Sequence, residues 1–305
     1  SSLISKLMAV SKLFATLVVV LGVVLYFQMR GLSEKELTDR IHGKRVLVTG
    51  ASLGIGRELV KQYADLGAAE IVLVARSEDK LVSLRDEVYE SLDHNKRNKP
   101  KIHVVPADLS AEDVCRGVID KAIDAMGSID YLVLNHITNS QYGLWTEKEN
   151  HDFITNLISV NTLSYIWMAT HALPALEKSH GQIMVVSSFA GHVGVPHTAL
   201  YSASKFALRG FFNALRVELQ LYKNSNIGIT ICTIGATDTE GTKGMQGRIS
   251  GITWEDPRVV GDAIVESGAA RQRELFYPYH LTYPSIVFNF VAPQLMEKFL
   301  RLTMN

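Results

Sequence analysis

The chain has 305 residues, is 47% hydrophobic and 20% charged, and carries no formal net charge, with a pI near 7.1. That length suits one large domain plus a short extra segment, with enough apolar content for a sizeable core. Neutrality argues against a nucleic-acid partner. The two cysteines, Cys115 and Cys232, lie far apart and offer neither a disulfide framework nor metal-ligand spacing, so no metal is expected.

The chain opens on an apolar run, Leu7 to Met29, with Lys12 as its one charge. About 20 apolar residues span a bilayer as a helix, so this run is long enough. A cleaved signal peptide is the competing reading. The length of the run and the lack of a small-residue cleavage site favour an uncleaved, single-pass anchor over residues 1–30. Lys6 and Lys12 before the run are matched by Arg30, Lys35 and Arg40 after it, so charge gives no orientation. Residues 31–43 read as a linker.

Lys44-Arg45-Val46-Leu47-Val48-Thr49-Gly50 is a short apolar strand entering a glycine turn, Ala51-Ser52-Leu53-Gly54-Ile55-Gly56. A helix follows, roughly Arg57 to Leu66. Strand, glycine turn and helix together make a dinucleotide site. Glycines let the backbone approach a pyrophosphate, whose charge rests on the helix N-terminus. The second strand, Glu70 to Ala75, ends in Arg76-Ser77. An acid at that place would bond a ribose 2′-hydroxyl, whereas an Arg accommodates a 2′-phosphate. Arg76 therefore points to NADP(H); its bland reading is a strand-end charge. Further strands run from Ile102 to Val105, ahead of Asp108-Leu109, and from Tyr131 to Leu134, ahead of Asn135-His136. A long helical stretch from about Asn150 to Lys178 carries Asn161.

Ile183 to Val186 is another buried strand, ending at Ser187-Ser188, and a helix begins near Thr198. Tyr201 and Lys205 are four apart and share one face of that helix. A cation beside a phenol lowers its pKa and makes it an acid/base near neutral pH. Ser188 is placed to bond the same reacting oxygen. Alone, a Tyr-x-x-x-Lys pair is weak evidence, since such pairs are common on solvated helices.

The Thr-Gly-x-x-x-Gly-x-Gly turn at Thr49 to Gly56, with Tyr201-x-x-x-Lys205 downstream, resembles the short-chain dehydrogenase/reductase family, over about Lys44 to Pro278. Leu134-Asn135-His136-Ile137-Thr138-Asn139, Ser164-Tyr165 and Tyr201 to Leu208 look like its 11-beta-hydroxysteroid dehydrogenase type 1 group. The resemblance implies a doubly wound parallel α/β sheet of Rossmann type in one domain. It implies a catalytic tetrad of Asn161, Ser188, Tyr201 and Lys205. The implied cofactor-binding set is Gly50, Ser52, Leu53, Gly54, Ile55, Gly56, Arg76, Ser77, Asp108, Leu109, Asn135, Tyr201, Lys205, Thr237 and Thr239. It also implies a homodimer anchored in the endoplasmic reticulum membrane with a lumenal catalytic domain. Two departures stand out. Leu53 occupies the turn position where many NADP-binding relatives carry a basic residue. Val195 replaces the Tyr that the steroid enzymes carry before the Pro preceding the catalytic Tyr.

Glu240 to Ile252 reads as a flap. Tyr279 to Asn305 reads as an amphipathic tail that covers the pocket, joins a partner or meets a membrane surface. The expected organisation is an anchor (1–30), a linker (31–43), an NADP-binding catalytic domain (44–278) and a helical C-terminal segment (279–305). The expected function is hydroxyl/carbonyl oxidoreduction on a lipophilic, steroid-like substrate. The alternatives are another lipid carbonyl, such as a retinoid or keto-lipid, or a catalytically idle membrane or lipid-droplet scaffold.

Overall fold

The computed structural model describes residues 31–92, 99–138, 142–145, 151–223, 225–246 and 252–303. The apolar run at 7–29 lies outside them. Among the described residues no helix is long and apolar enough to cross a membrane.

Seven parallel strands form one sheet: β1 (Arg45–Thr49), β2 (Glu70–Ala75), β3 (Lys101–Pro106), β4 (Tyr131–Leu134), β5 (Gln182–Ser188), β6 (Gly228–Ile234) and β7 (Glu274–Tyr277). Their order is β3-β2-β1-β4-β5-β6-β7. The strands are apolar on both faces because helices cover both. Alternation along each strand divides the core. Val46, Val48, Ile71, Leu73, Met184 and Cys232 face one layer, while Leu47, Val72, Val74, Ile183, Val185 and Ile231 face the other.

The first layer is built by α1 (Glu34–Ile41), α2 (Gly54–Asp65), α3 (Glu78–Ser91) and α8 (Pro257–Ala269). The second is built mainly by α4 (Glu112–Met126), α6 (Ser164–Ser179) and α7 (Ala199–Lys223). Helix α1 falls within the stretch expected to be a linker. Its cause is local: Ser33 and Glu36 form a reciprocal capping box. Ile41 is then fully buried, and Arg40 Nη1 donates to Ala269 O at 2.7 Å.

The helical stretch expected around Asn161 is one run in three parts: α5 (His151–Ile158), a π turn (Ser159–Leu163) and α6. A π turn holds one extra residue and is a recurrent device at functional sites. Two final helices, α9 (Tyr279–Val291) and α10 (Pro293–Thr303), make the expected helical tail. From α10, Met296 and Leu300 pack on Val193, with Tyr142, Phe189, Val195 and Ile286 around them. The rest of the tail leaves Phe290, Val291, Leu295, Phe299 and Leu302 exposed.

Chain direction across the sheet reverses between β1 and β4. In open α/β sheets the crevice beyond the strand ends at such a switch is where ligands bind.

Candidate active site

A cleft of about 790 Å³ opens at that switch. One end is built from strand ends. The chain leaves β1 through Gly50 at φ 66° and enters α2 through Gly54 at φ 54°, both left-handed conformations that favour glycine. Gly56 is required for a different reason: a Cβ there would overlap the carbonyl oxygen of Gly50. Asn135 fastens the turn from β4. Its N–H donates to Thr49 Oγ1 at 2.9 Å, and its Nδ2 donates to Thr49 O and Gly50 O at 3.3 and 3.4 Å.

Gly50, Ser52, Leu53, Gly54 and Ile55 line the cleft, and Gly56 stands behind it. Arg76 and Ser77 line it from the end of β2, Asp108 and Leu109 from the end of β3. Asp108 also accepts from Ser110 N at 3.2 Å, closing its own turn.

The middle of the cleft holds Ser188, Tyr201 and Lys205. Ser188 ends β5, while Tyr201 and Lys205 lie one turn apart near the start of α7. Of the two adjacent serines, Ser188 is the one hydrogen-bonded to Tyr201. The Ser187 hydroxyl is buried without a partner among the described residues.

The expected effect of Lys205 on Tyr201 is not what the structure shows. Burial pushes the Tyr201 phenol up, and the Ser188 hydrogen bond only partly opposes it. The Lys205 ammonium is itself buried and held down to about 7 by desolvation. Its Nζ donates to Val186 O at 2.9 Å and lies 5.7 Å from the Tyr201 ring centroid. Burial is the larger influence on Tyr201, and it weakens the charge on Lys205 as well.

Sequence reasoning missed what stands behind this centre. Lys205 Nζ also lies 5.3 Å from the ring of Tyr165, whose hydroxyl donates to His136 O at 2.7 Å. The buried His136 ring bridges Thr49 Oγ1, 2.8 Å from Nδ1, and Ser164 Oγ, 2.6 Å from Nε2. Burial holds His136 at about 3, so its ring is neutral at physiological pH. Asn161, fully buried in the π turn, accepts from Thr138 N at 2.8 Å and leaves its Nδ2 buried without a partner among the described residues. It stands behind the cleft wall. The signal that could have found this network is the pair His136 and Ser164-Tyr165. The family resemblance singled out these residues but assigned them no role in the site.

Beyond β6, Thr237 and Thr239 line the cleft in a loop tied by Thr242. The Thr242 hydroxyl donates to Thr237 O at 2.7 Å, and Thr239 N donates to Thr242 Oγ1 at 2.9 Å. Of the expected flap, residues 247–251 lie outside the described residues. The far end of the cleft is apolar, with Ile137, Tyr142, Val195, Ile252, Trp254 and Leu300 on its walls. Leu300 brings the last helix to this wall, which is the first of the three roles expected of the tail.

Residues 44–248 match the family model described as short chain dehydrogenase. A hydroxysteroid 11-beta-dehydrogenase 1-like protein of Gallus gallus is 41% identical over 80% of this chain and 81% of its own length. One of Danio rerio is 38% identical over 94% and 96%. A short-chain dehydrogenase/reductase from Burkholderia phymatum, solved in complex with NAD, matches the fold with a TM-score of 0.71 at 19% identity, over 84% of this chain and 96% of that one. One from Burkholderia cenocepacia, solved in complex with NADP, matches with a TM-score of 0.67 at 24% identity, over 77% and 96%.

Proposed function

Because the chain belongs to the short-chain dehydrogenase family, we propose that it is an NADP(H)-dependent oxidoreductase that interconverts a hydroxyl and a carbonyl on a lipophilic, steroid-like substrate. The convergence of Ser188, Tyr201 and Lys205 in one cleft with the glycine turn and an apolar wall carries this reading.

The residues fit a nicotinamide dinucleotide. The glycine turn presents backbone at the start of α2, suited to a pyrophosphate. Arg76 stands on the rim with no salt-bridge partner among the described residues, suited to a 2′-phosphate. Asp108 and Leu109 would flank the adenine, and Thr237 and Thr239 the nicotinamide and pyrophosphate. When bound, the dinucleotide supplies or accepts the hydride.

The chain's own residues handle the proton. The Tyr201 phenol, kept protonated by burial, donates to the substrate oxygen in reduction and takes the proton back in oxidation. Ser188 bonds Tyr201 and would hold the same substrate oxygen. Lys205, fixed by Val186 O and set against Tyr165, supplies positive charge beside this centre when protonated. Asn161, with its unpartnered Nδ2, is the fourth member of the set.

The apolar end supports a lipophilic substrate, since burying apolar surface stabilises binding by about 25 cal/mol per Å². The steroid assignment rests on the names of the Gallus gallus and Danio rerio relatives. Val195, in the wall, is where the pocket departs from the steroid pattern. Attachment to the endoplasmic reticulum membrane through the 7–29 run, and a homodimer, complete the proposal and rest on the sequence alone.

The test is a panel of steroid and other lipophilic ketones, followed by NADPH oxidation, with the matching alcohols and NADP+ run in reverse. Turnover of a steroid pair supports the full reading. Turnover restricted to other lipid carbonyls corrects the substrate. NADPH that binds but is never consumed across the panel would establish the idle scaffold instead.

A further inference from the structure

The glycine turn carries no cation: Leu53, 40% exposed, lines the cleft at the turn position where, by the family resemblance, many NADP-binding relatives carry a basic residue. A second cation reaches the same rim from elsewhere. Lys80 lines the cleft together with Arg76 and Ser77. Ser77 is the N-cap of α3, which makes Lys80 its third helical residue. On a helix, the side chain at that position reaches back over the N-cap residue. The intervening acids, Glu78 and Asp79, do not line the cleft.

Three observations mark this corner as built for an anion. Ser77 makes no side-chain capping bond, so its hydroxyl is not committed to its own helix. Arg76 and Lys80 have no salt-bridge partners among the described residues. The neighbouring cations Arg57, Lys61 and Arg85 are all tied to Glu58, Asp86 or Glu87. Finally, a Lys in the first turn of a helix opposes the helix dipole. Glu78 and Asp79 share that turn and offset part of the cost; an anion held between the ammonium and the helix N-terminus would offset it on the cleft side.

We propose that Lys80 is the second cation of a clamp for the 2′-phosphate of the coenzyme's adenine ribose, closing on it opposite Arg76 and replacing a cation that the glycine turn lacks. The proposal rests on the dinucleotide reading above and adds a residue to it. Arg76 presents a planar fork and Lys80 a point charge, with the Ser77 hydroxyl between them in sequence.

The experiment is a fluorescence titration of the full chain with NADPH and with NADH, reading Kd rather than turnover. It uses wild type, Lys80→Gln, and Lys80→Gln combined with Leu53→Lys. Lys80→Gln should raise the NADPH Kd roughly tenfold and leave the NADH Kd unchanged. Adding Leu53→Lys should recover most of that loss, because it restores a cation on the opposite side of the same phosphate. An unchanged NADPH Kd in Lys80→Gln, or an equal rise for both nucleotides, overturns the role of Lys80 and leaves the coenzyme reading intact. A wild-type chain that binds NADH at least as tightly as NADPH overturns the NADP(H) reading together with the clamp.

Discussion

The two ends of the cleft are made of different material. The glycine-built end is backbone: three strand ends, a turn whose φ angles favour glycine, and Asn135 bonding the carbonyls of that turn. The apolar end is side chain. Tyr142, Val195, Trp254 and Leu300 come from four separate segments, and the last packs there from the final helix. Backbone geometry tolerates few substitutions, whereas an apolar wall tolerates many at modest cost. The first end is therefore suited to a constant partner and the second to a variable one.

The sharpest way to break this comparison is Gly56→Ala. The added Cβ would overlap Gly50 O, and neither backbone can give way cheaply. The expected loss is about 3 kcal/mol or more of stability, with coenzyme binding abolished. Gly117→Ala in α4 is the control, because a Cβ there meets nothing within 4 Å. It should be neutral or stabilising by up to about 1 kcal/mol. Thermal unfolding and NADPH titration of both variants decide the matter.

A second expectation concerns the buried support between the two ends. His136 has a folded pKa of about 3 against an ordinary value of 6.5. Between those values the unfolded chain binds more protons, so stability is full above pH 6.5 and falls as pH drops towards 3. The slope is about 1.4 kcal/mol per pH unit, or roughly 2 kcal/mol by pH 5. His136→Asn, which cannot titrate, should flatten this part of the stability curve measured by urea unfolding. An unaltered slope would place the acid sensitivity elsewhere.

The smallest effect belongs to the apolar wall. Leu300→Ala should raise KM for a lipophilic substrate roughly fivefold, about 1 kcal/mol, while the NADPH Kd stays unchanged. A matching change in both would show that the two ends are not independent.

Legibility in the sequence follows the same division. Glycine spacing, Arg76 at a strand end and the Tyr201/Lys205 helical pair are local patterns, and local patterns read directly. The capping box at Ser33 and Glu36 was equally local but lay in a stretch taken for a linker. The π turn at Asn161 escaped because the phase shift of one extra residue falls in a stretch too uniformly apolar to show it. The rise of the Tyr201 phenol escaped because it depends on burial, a product of tertiary packing. The tail was legible as a pocket cover, but its contact with Val195 was not, since more than a hundred residues separate Leu300 from it.

The central claim is that Tyr201 moves the proton in a hydride-transfer reaction. Its most direct test is Tyr201→Phe, with turnover of the best substrate and NADPH affinity measured on the same preparation. The account predicts an NADPH Kd close to wild type and turnover reduced by roughly 10²- to 10⁴-fold. Turnover that survives the substitution unchanged would contradict it.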